Sequence, residues 1–209
     1  IGFESGNFTH WIKTDGKILE GITGDLHPIY FPDSCNFNAT TSSSNQHTIV
    51  HSGVDAIGGF KRVRKGLGAN ALLLGDSSKT IRRYNTDTGI ESNGASIEQQ
   101  FTVTPDNSLF TYYYAVVLEA SNHAPNQQPT FRIDAFDQDG KRISCGEYLV
   151  VASGAIPGFI NKGPIDNPSD PSADLTTDVL FKDWTPVFID LTNYIGTVSY
   201  THLTLPTIL

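Results

Sequence analysis

Apolar and polar residues alternate along this chain with the period of two that marks a strand, and helical periodicity is nearly absent. "HTIV" at 47–50 is a short apolar run, and "NALLLGD" at 70–76 ends in a Gly-Asp turn. "ASIEQQFTV" at 95–103 puts Ile97, Phe101 and Val103 on one face and stops at the turn Thr104-Pro105-Asp106-Asn107. "LFTYYYAVVLEA" at 109–120 is apolar on both faces. Tyr112, Tyr114, Val116 and Leu118 point one way and Tyr113, Ala115 and Val117 the other, which predicts a central strand covered on both sides. "TFRIDAFD" alternates Phe131, Ile133 and Ala135. The "DQDG" turn at 137–140 then predicts a hairpin into "KRISCGEYLVVAS", because Asp-Gly supplies the positive-φ positions of such turns. "VLFKDWTPVFIDLTNYIG" carries Trp184, Val187 and Ile189 and closes on a short turn.

Long polar gaps separate these runs, at 33–46, 52–69, 121–129 and 154–178. Loops of this length are uncommon unless they serve a function or vary. Many strands joined by long loops predict an all-β fold, an antiparallel jelly-roll β-sandwich. No internal repeat or linker divides it.

Composition narrows the function classes. At 209 residues the chain suits one large β domain or two small ones and hides roughly 70% of its unfolded surface on folding. With 38% hydrophobic and 17% charged residues it is too apolar for disorder. Its net charge of −8 opposes general nucleic-acid binding, which needs a cationic face. No apolar run approaches the ~20 residues of a membrane helix, so no membrane insertion is expected. No charged segment followed by an apolar stretch opens the chain, and it contains no Met. Both features lead us to expect a mature segment or fragment of a longer exported protein. Cys35 and Cys145 are too few for a disulfide scaffold or a zinc site. They are left as either one disulfide, in an oxidising compartment, or two thiols.

Candidate chemistry is thin. His47 and His51 are four residues apart on a strand, roughly 13 Å, too far to share a metal. "FDQDGK" has the look of a calcium loop, but Lys141 stands at a ligand position and no Glu closes it, so a hairpin turn is expected. Asp166, Asp170, Asp174 and Asp178 read as solvated loop carboxylates. The basic run "KRVRK" at 61–65, with Arg82 and Arg83, reads as a solvated loop without interleaved aromatics for nucleic acid. A glycosidase needs two carboxylates roughly 5–9.5 Å apart. Asp134 and Glu98 lie on strands, but nothing in the sequence fixes them as a pair. No nucleophile elbow, phosphate loop or zinc motif occurs, which favours a chain that is not an enzyme. Asn7 and Asn38 stand in glycosylation sequons.

Against that reading, "GFESGNFTHW", "HTIVHSGVD", "GANALLLGD", the whole of 95–159 and "FKDWTPVFIDLTNYIG" resemble a jelly-roll domain of very large exported Bacteroidetes proteins. Those proteins often also carry PKD repeats and a type IX sorting tail. The likeness covers nearly all of 2–197 and is most specific over 95–159. It implies a galactose-binding-like or MAM-like sandwich, located outside the cell or on its surface beside further domains of one long chain. Related sandwiches hold a structural calcium ion between first and last strands, and Glu4 matches the usual side-chain ligand.

The chain departs from the pattern after Gly196. "VSYTHLTLPTIL" resembles translated sequencing-adapter read-through. The expected organisation is therefore a sandwich over 1–197, lacking its last strand or two, followed by a non-native tail over 198–209. The alternative, an authentic strand alternating Val198, Tyr200 and His202 against Ser199 and Thr201, is passable. A missing strand would expose backbone and apolar surface and lower solubility.

The function expected from these features is a non-catalytic adhesion or architectural module, engaging a glycan or another surface protein. The second reading is a carbohydrate-binding module, for which Tyr30, Phe31, Phe60, Tyr84 and Phe159 are the candidate loop aromatics.

Overall fold

A computed structural model describes residues 2–19, 38–39, 46–75, 91–120, 128–144, 146–164 and 178–207. The chain is all-β and its sheets are antiparallel. The strands are β1 (Ile12–Leu19), β2 (Asn38–Ala39), β3 (His47–Val50), β4 (Ala71–Leu74), β5 (Glu91–Thr102), β6 (Leu109–Ala120), β7 (Thr130–Phe136), β8 (Tyr148–Val151), β9 (Ile160–Pro164), β10 (Asp178–Asp190) and β11 (Val198–Thr207). A six-stranded sheet runs β2-β1-β5-β11-β7-β8, a three-stranded sheet runs β6-β10-β9, and β3 pairs with β4. Among the described residues no helix is long and apolar enough to cross a membrane.

The two larger sheets pack face to face. Tyr114, Val116 and Leu118 of β6 bury against Phe131 and Ile133 of β7 and Val150 of β8. These are the residues that period-two alternation assigns to one face of each strand. A second cluster joins Val103, Ala135, Ile143, Ile189 and Leu191, and the stacked Phe101 and Phe110 rings, 5.4 Å apart, adjoin it. Leu191 leads into a 3₁₀ turn at Thr192–Tyr194. The Asp190 carboxylate accepts from the Thr192 hydroxyl and N–H, which holds it below the usual carboxylate range.

The hairpin expected at 137–140 is present. β7 and β8 pair from Thr130↔Val151 to Ile133↔Tyr148. Asp137 Oδ1 accepts from the N–H groups of Asp139 and Lys141, and Gly140 adopts φ +74°. The carboxylate that resembles a calcium ligand thus closes the turn's own backbone.

Two expectations need correction. β6 is not central: among the described strands it pairs with β10 alone, and β10 holds the middle position. Its second face is covered by a loop, because Arg64 lies 4.2 Å over the Tyr113 ring. An apolar second face records that something covers the strand, not whether the cover is a strand or a loop. Residues 3–11, whose Glu4 the resemblance associates with the first strand, form turns in which Phe3 stacks on Trp11 at 4.7 Å, and β1 starts only at Ile12.

At the far end, residues 198–207 form a strand. β11, lying within the stretch read as a foreign tail, pairs along Val198↔Thr102 to Thr207↔Asn93 with β5 and along Tyr200↔Phe136 to Thr204↔Arg132 with β7. The alternation judged passable in the sequence suffices for a strand here, because β5 and β7 each present an edge to the same slot.

Candidate functional site

Arg132 and Asp134 are two apart on β7, so they share the face opposite Phe131, Ile133 and Ala135. Both are nevertheless buried, at 7% and 4% exposure. Arg132 Nε lies 2.7 Å from Asp134 Oδ2, and Arg142 Nε lies 2.9 Å from Asp134 Oδ1. Glu147 meets Arg132 at 3.3 Å and Arg142 at 3.8 Å. The hairpin supplies this geometry by carrying Arg142 and Glu147 back alongside β7. Among the described residues two guanidinium groups thus face two carboxylates, the pairing that buried charge demands. Glu98 stands in the same lateral row as Asp134, with β11 between them at the His202 position, roughly 10 Å away at the backbone. Asp134 is held by two arginines and so is not poised to act with Glu98.

Glu4 lies against the loop that precedes β4. Its Oε2 accepts the Ala69 N–H at 2.8 Å, while the Asn70 side-chain amide donates to the Phe3 and Glu4 carbonyls at 2.9 and 3.2 Å. Asn70 Oδ1 meets His51 Nδ1. Within the sheet β5 separates β1 from β11, and Glu4 itself lies in the turns before β1. The oxygens that would face an ion accept amide hydrogens instead. Calcium needs six to eight oxygens, and among the described residues no three His, Cys, Asp or Glu side chains gather.

Gly68 makes the Glu4 contact close. Its φ is +138°, and a Cβ there would overlap the Glu4 carboxylate. Gly68→Ala is expected to lower stability by about 1–3 kcal/mol. Chemical denaturation should show the loss, and part of it should return when Glu4→Ala is added, because the two changes share one contact.

The other expected residues fall in different places. Phe60 belongs to the 53–68 loop, where Asp55 N–H donates to the Phe60 carbonyl at 2.8 Å. A Cβ on Gly58 would overlap the Phe60 ring and sit 3.3 Å from Phe181, so this loop covers the outer side of β10. Trp184 Nε1 donates to the Lys61 carbonyl at 2.6 Å. The basic run is thus packed on the sheet through its backbone and Arg64, not freely solvated. Phe159 lies on the opposite, inner side of β10, against the core cluster. Phe60 and Phe159 therefore do not share a rim. Tyr30, Phe31, Tyr84, Cys35 and Cys145 lie outside the described residues, as do Asp166, Asp170 and Asp174. His47 Nε2 meets the Ser96 carbonyl at 2.7 Å and His51 meets Asn70, so the two imidazoles serve separate contacts. Asp178 accepts from the Asn161 side-chain amide at 2.6 Å.

One grouping was not anticipated from the sequence. Lys182 Nζ lies 5.6 Å from the Phe159 ring centre, 5.7 Å from that of Tyr114 and 6.0 Å from that of Tyr148. The Tyr114 hydroxyl donates to the Tyr148 hydroxyl at 2.6 Å. Burial first, then the contact with Tyr148, pushes the Tyr114 phenol far above its ordinary pKa, and burial does the same for Tyr112; both stay neutral. The only hint in the sequence was a lysine flanked by apolar residues in "VLFKDW". Comparison with family models, with curated proteins and with solved structures finds no match to this chain.

Proposed function

We propose that this chain is a non-catalytic jelly-roll module that contributes adhesion or architecture to a large exported surface protein. The observation that carries the reading is the Arg132–Asp134–Arg142–Glu147 network. Ionic groups that could do chemistry are matched to one another along β7 and its hairpin, and Glu4 likewise ties the opening turns to the 68–70 loop. Charge in this domain supports shape. The extracellular setting and the neighbouring domains rest on the resemblance of residues 95–159.

The test incubates the chain with soluble polysaccharides and peptides while beads coated with it are challenged with cell-surface glycans and proteins. Bead retention without release of new reducing ends or amines supports the proposal. Turnover that disappears in Asp134→Asn or Glu98→Gln overturns it.

A structural calcium ion at Glu4 belongs to the same proposal. To bind, it would displace the Ala69 N–H and turn the Asn70 amide so that its oxygen faces the carbonyls of Phe3 and Glu4. Millimolar calcium is then expected to raise the melting temperature of the native chain but not of Glu4→Gln. Equal melting of both with and without calcium removes the ion from the account.

The carbohydrate-binding reading is favoured by one specific observation, the half-buried Phe159 ring beside the Lys182 ammonium.

A further inference from the structure

We infer that Lys182, with Phe159 and Tyr148, forms a subsite for a carboxylated sugar, a uronic acid unit of an acidic oligosaccharide. The inference rests on the carbohydrate-binding reading and names its ligand class.

Unmatched donors carry the argument. An ammonium group offers three N–H donors. Among the described residues Lys182 has no carboxylate and no hydrogen-bond acceptor; its contacts are the three rings. Its neighbour Asp183 does not serve it, because the Asp183 carboxylate accepts the Trp184 N–H and the Asp183 carbonyl accepts the Thr185 hydroxyl. Of the two hydrogens in the Tyr114–Tyr148 hydroxyl pair, only one lies between the oxygens, and the other is left to donate. Lys182 is half-buried, and its ammonium is not among the polar atoms sealed from solvent without a partner, unlike the orphaned Thr130 hydroxyl. Solvent, and so a ligand, reaches the ammonium, with the half-buried Tyr148 beside it.

The backbone around the group is built to present it. β10 pairs Lys182 with Val116 and Thr185 with Tyr114, so a bulge adds one residue between them. Such a bulge re-aims side chains. Here it keeps Lys182 on the inner side while Trp184 turns out to the Lys61 carbonyl. Gly158, at φ +77°, lies against the ammonium; a methyl group there would come within 3.4 Å of Nζ and narrow the approach.

A uronic acid unit matches this set. Its carboxylate meets the ammonium, a ring hydroxyl takes the spare tyrosine hydrogen, and its C–H face rests on Phe159. A neutral sugar leaves the ammonium without its anion. The overall charge of −8 repels polyanions at long range, so recognition has to be local and a short oligosaccharide is the apt probe.

The experiment titrates the full chain with trigalacturonate and, separately, with neutral galactotriose, by calorimetry. Trigalacturonate is expected to bind, and Lys182→Met and Phe159→Ala are each expected to weaken it at least about tenfold while melting stays cooperative. Equal binding of both sugars, unchanged by Lys182→Met, overturns the subsite and leaves the carbohydrate-binding reading standing. Binding of neither overturns both.

Should Lys182→Met fail to fold, reductive ¹³C-methylation of the native chain keeps the charge and gives each lysine an NMR signal. The Lys182 signal is identified by its absence in Lys182→Arg. Its displacement by trigalacturonate supports the subsite, and an unmoved signal overturns it.

Discussion

Removing residues 198–209 is expected to abolish cooperative folding. β11 lies inside the six-stranded sheet with a partner on each side, ten residue pairs with β5 and five with β7. Without it those two strands lose their shared neighbour, and the Ile97 and Ile133 rows that flank β11, each nearly fully buried, are exposed to water. Each buried backbone group left unpaired costs about 1–3 kcal/mol. A handful of them exceeds the roughly 5–15 kcal/mol that holds a domain folded. The shortened chain should therefore show no thermal transition and should aggregate through the two opened edges. The opposite outcome, an unchanged melt, is what the sequence's likeness to a foreign tail implies, and it would remove β11 from the fold.

Asp134→Ala is the single substitution with the largest expected effect. It leaves Arg132, 7% exposed, beside a cavity with its main anion gone. Breaking a buried pair by removing one partner costs about 3–5 kcal/mol, and Glu147, 3.3 Å from Arg132 but 43% exposed, compensates the remaining charge only in part. For a chain of this size the melting temperature should fall by roughly 10 °C. Arg142→Met should cost less, since the Arg142 side chain is 29% exposed and Asp134 keeps Arg132. Urea denaturation of the two variants gives the comparison. Equal small losses would mean that the network carries little of the stability.

What was legible in the sequence is what short-range physics decides. The Asp137–Gly140 turn and the hairpin it starts depend on a few adjacent residues, and they formed as expected. The inward face of the 95–103 stretch, with Ile97 of β5 and the following Val103 nearly fully buried, follows from alternation alone. Strand order does not, because it is chosen by pairings between residues far apart in the chain. That is why β6 was placed at the centre and β10 holds that position instead. It is also why the alternation of "VSYTHLTLPTIL" is passable and no more: the pattern is local, whereas the slot between β5 and β7 is made by strands more than sixty residues earlier.

The candidate sites divide along the same line. Arg132 and Asp134 were visible as charges interleaved with Phe131, Ile133 and Ala135, a pattern that asks for counter-charges across the hairpin. The answering residues, Arg142 and Glu147, lie in the next stretch and could have been sought there. Lys182 meets Phe159 from a neighbouring loop and Tyr148 from the facing sheet, so no spacing rule reveals the group. Of the expected loop aromatics, Tyr30, Phe31 and Tyr84 lie outside the described residues. Phe60 and Phe159 are both in loops, yet β10 lies between them.

The measurement that tests the fold account most directly is amide hydrogen exchange over residues 198–207 in the intact chain. The ladders with β5 and β7 predict protection there matching that of 95–102 and 131–135, with exchange only through global unfolding. Exchange at the rate of an unstructured peptide, while β5 and β7 stay protected, would contradict it.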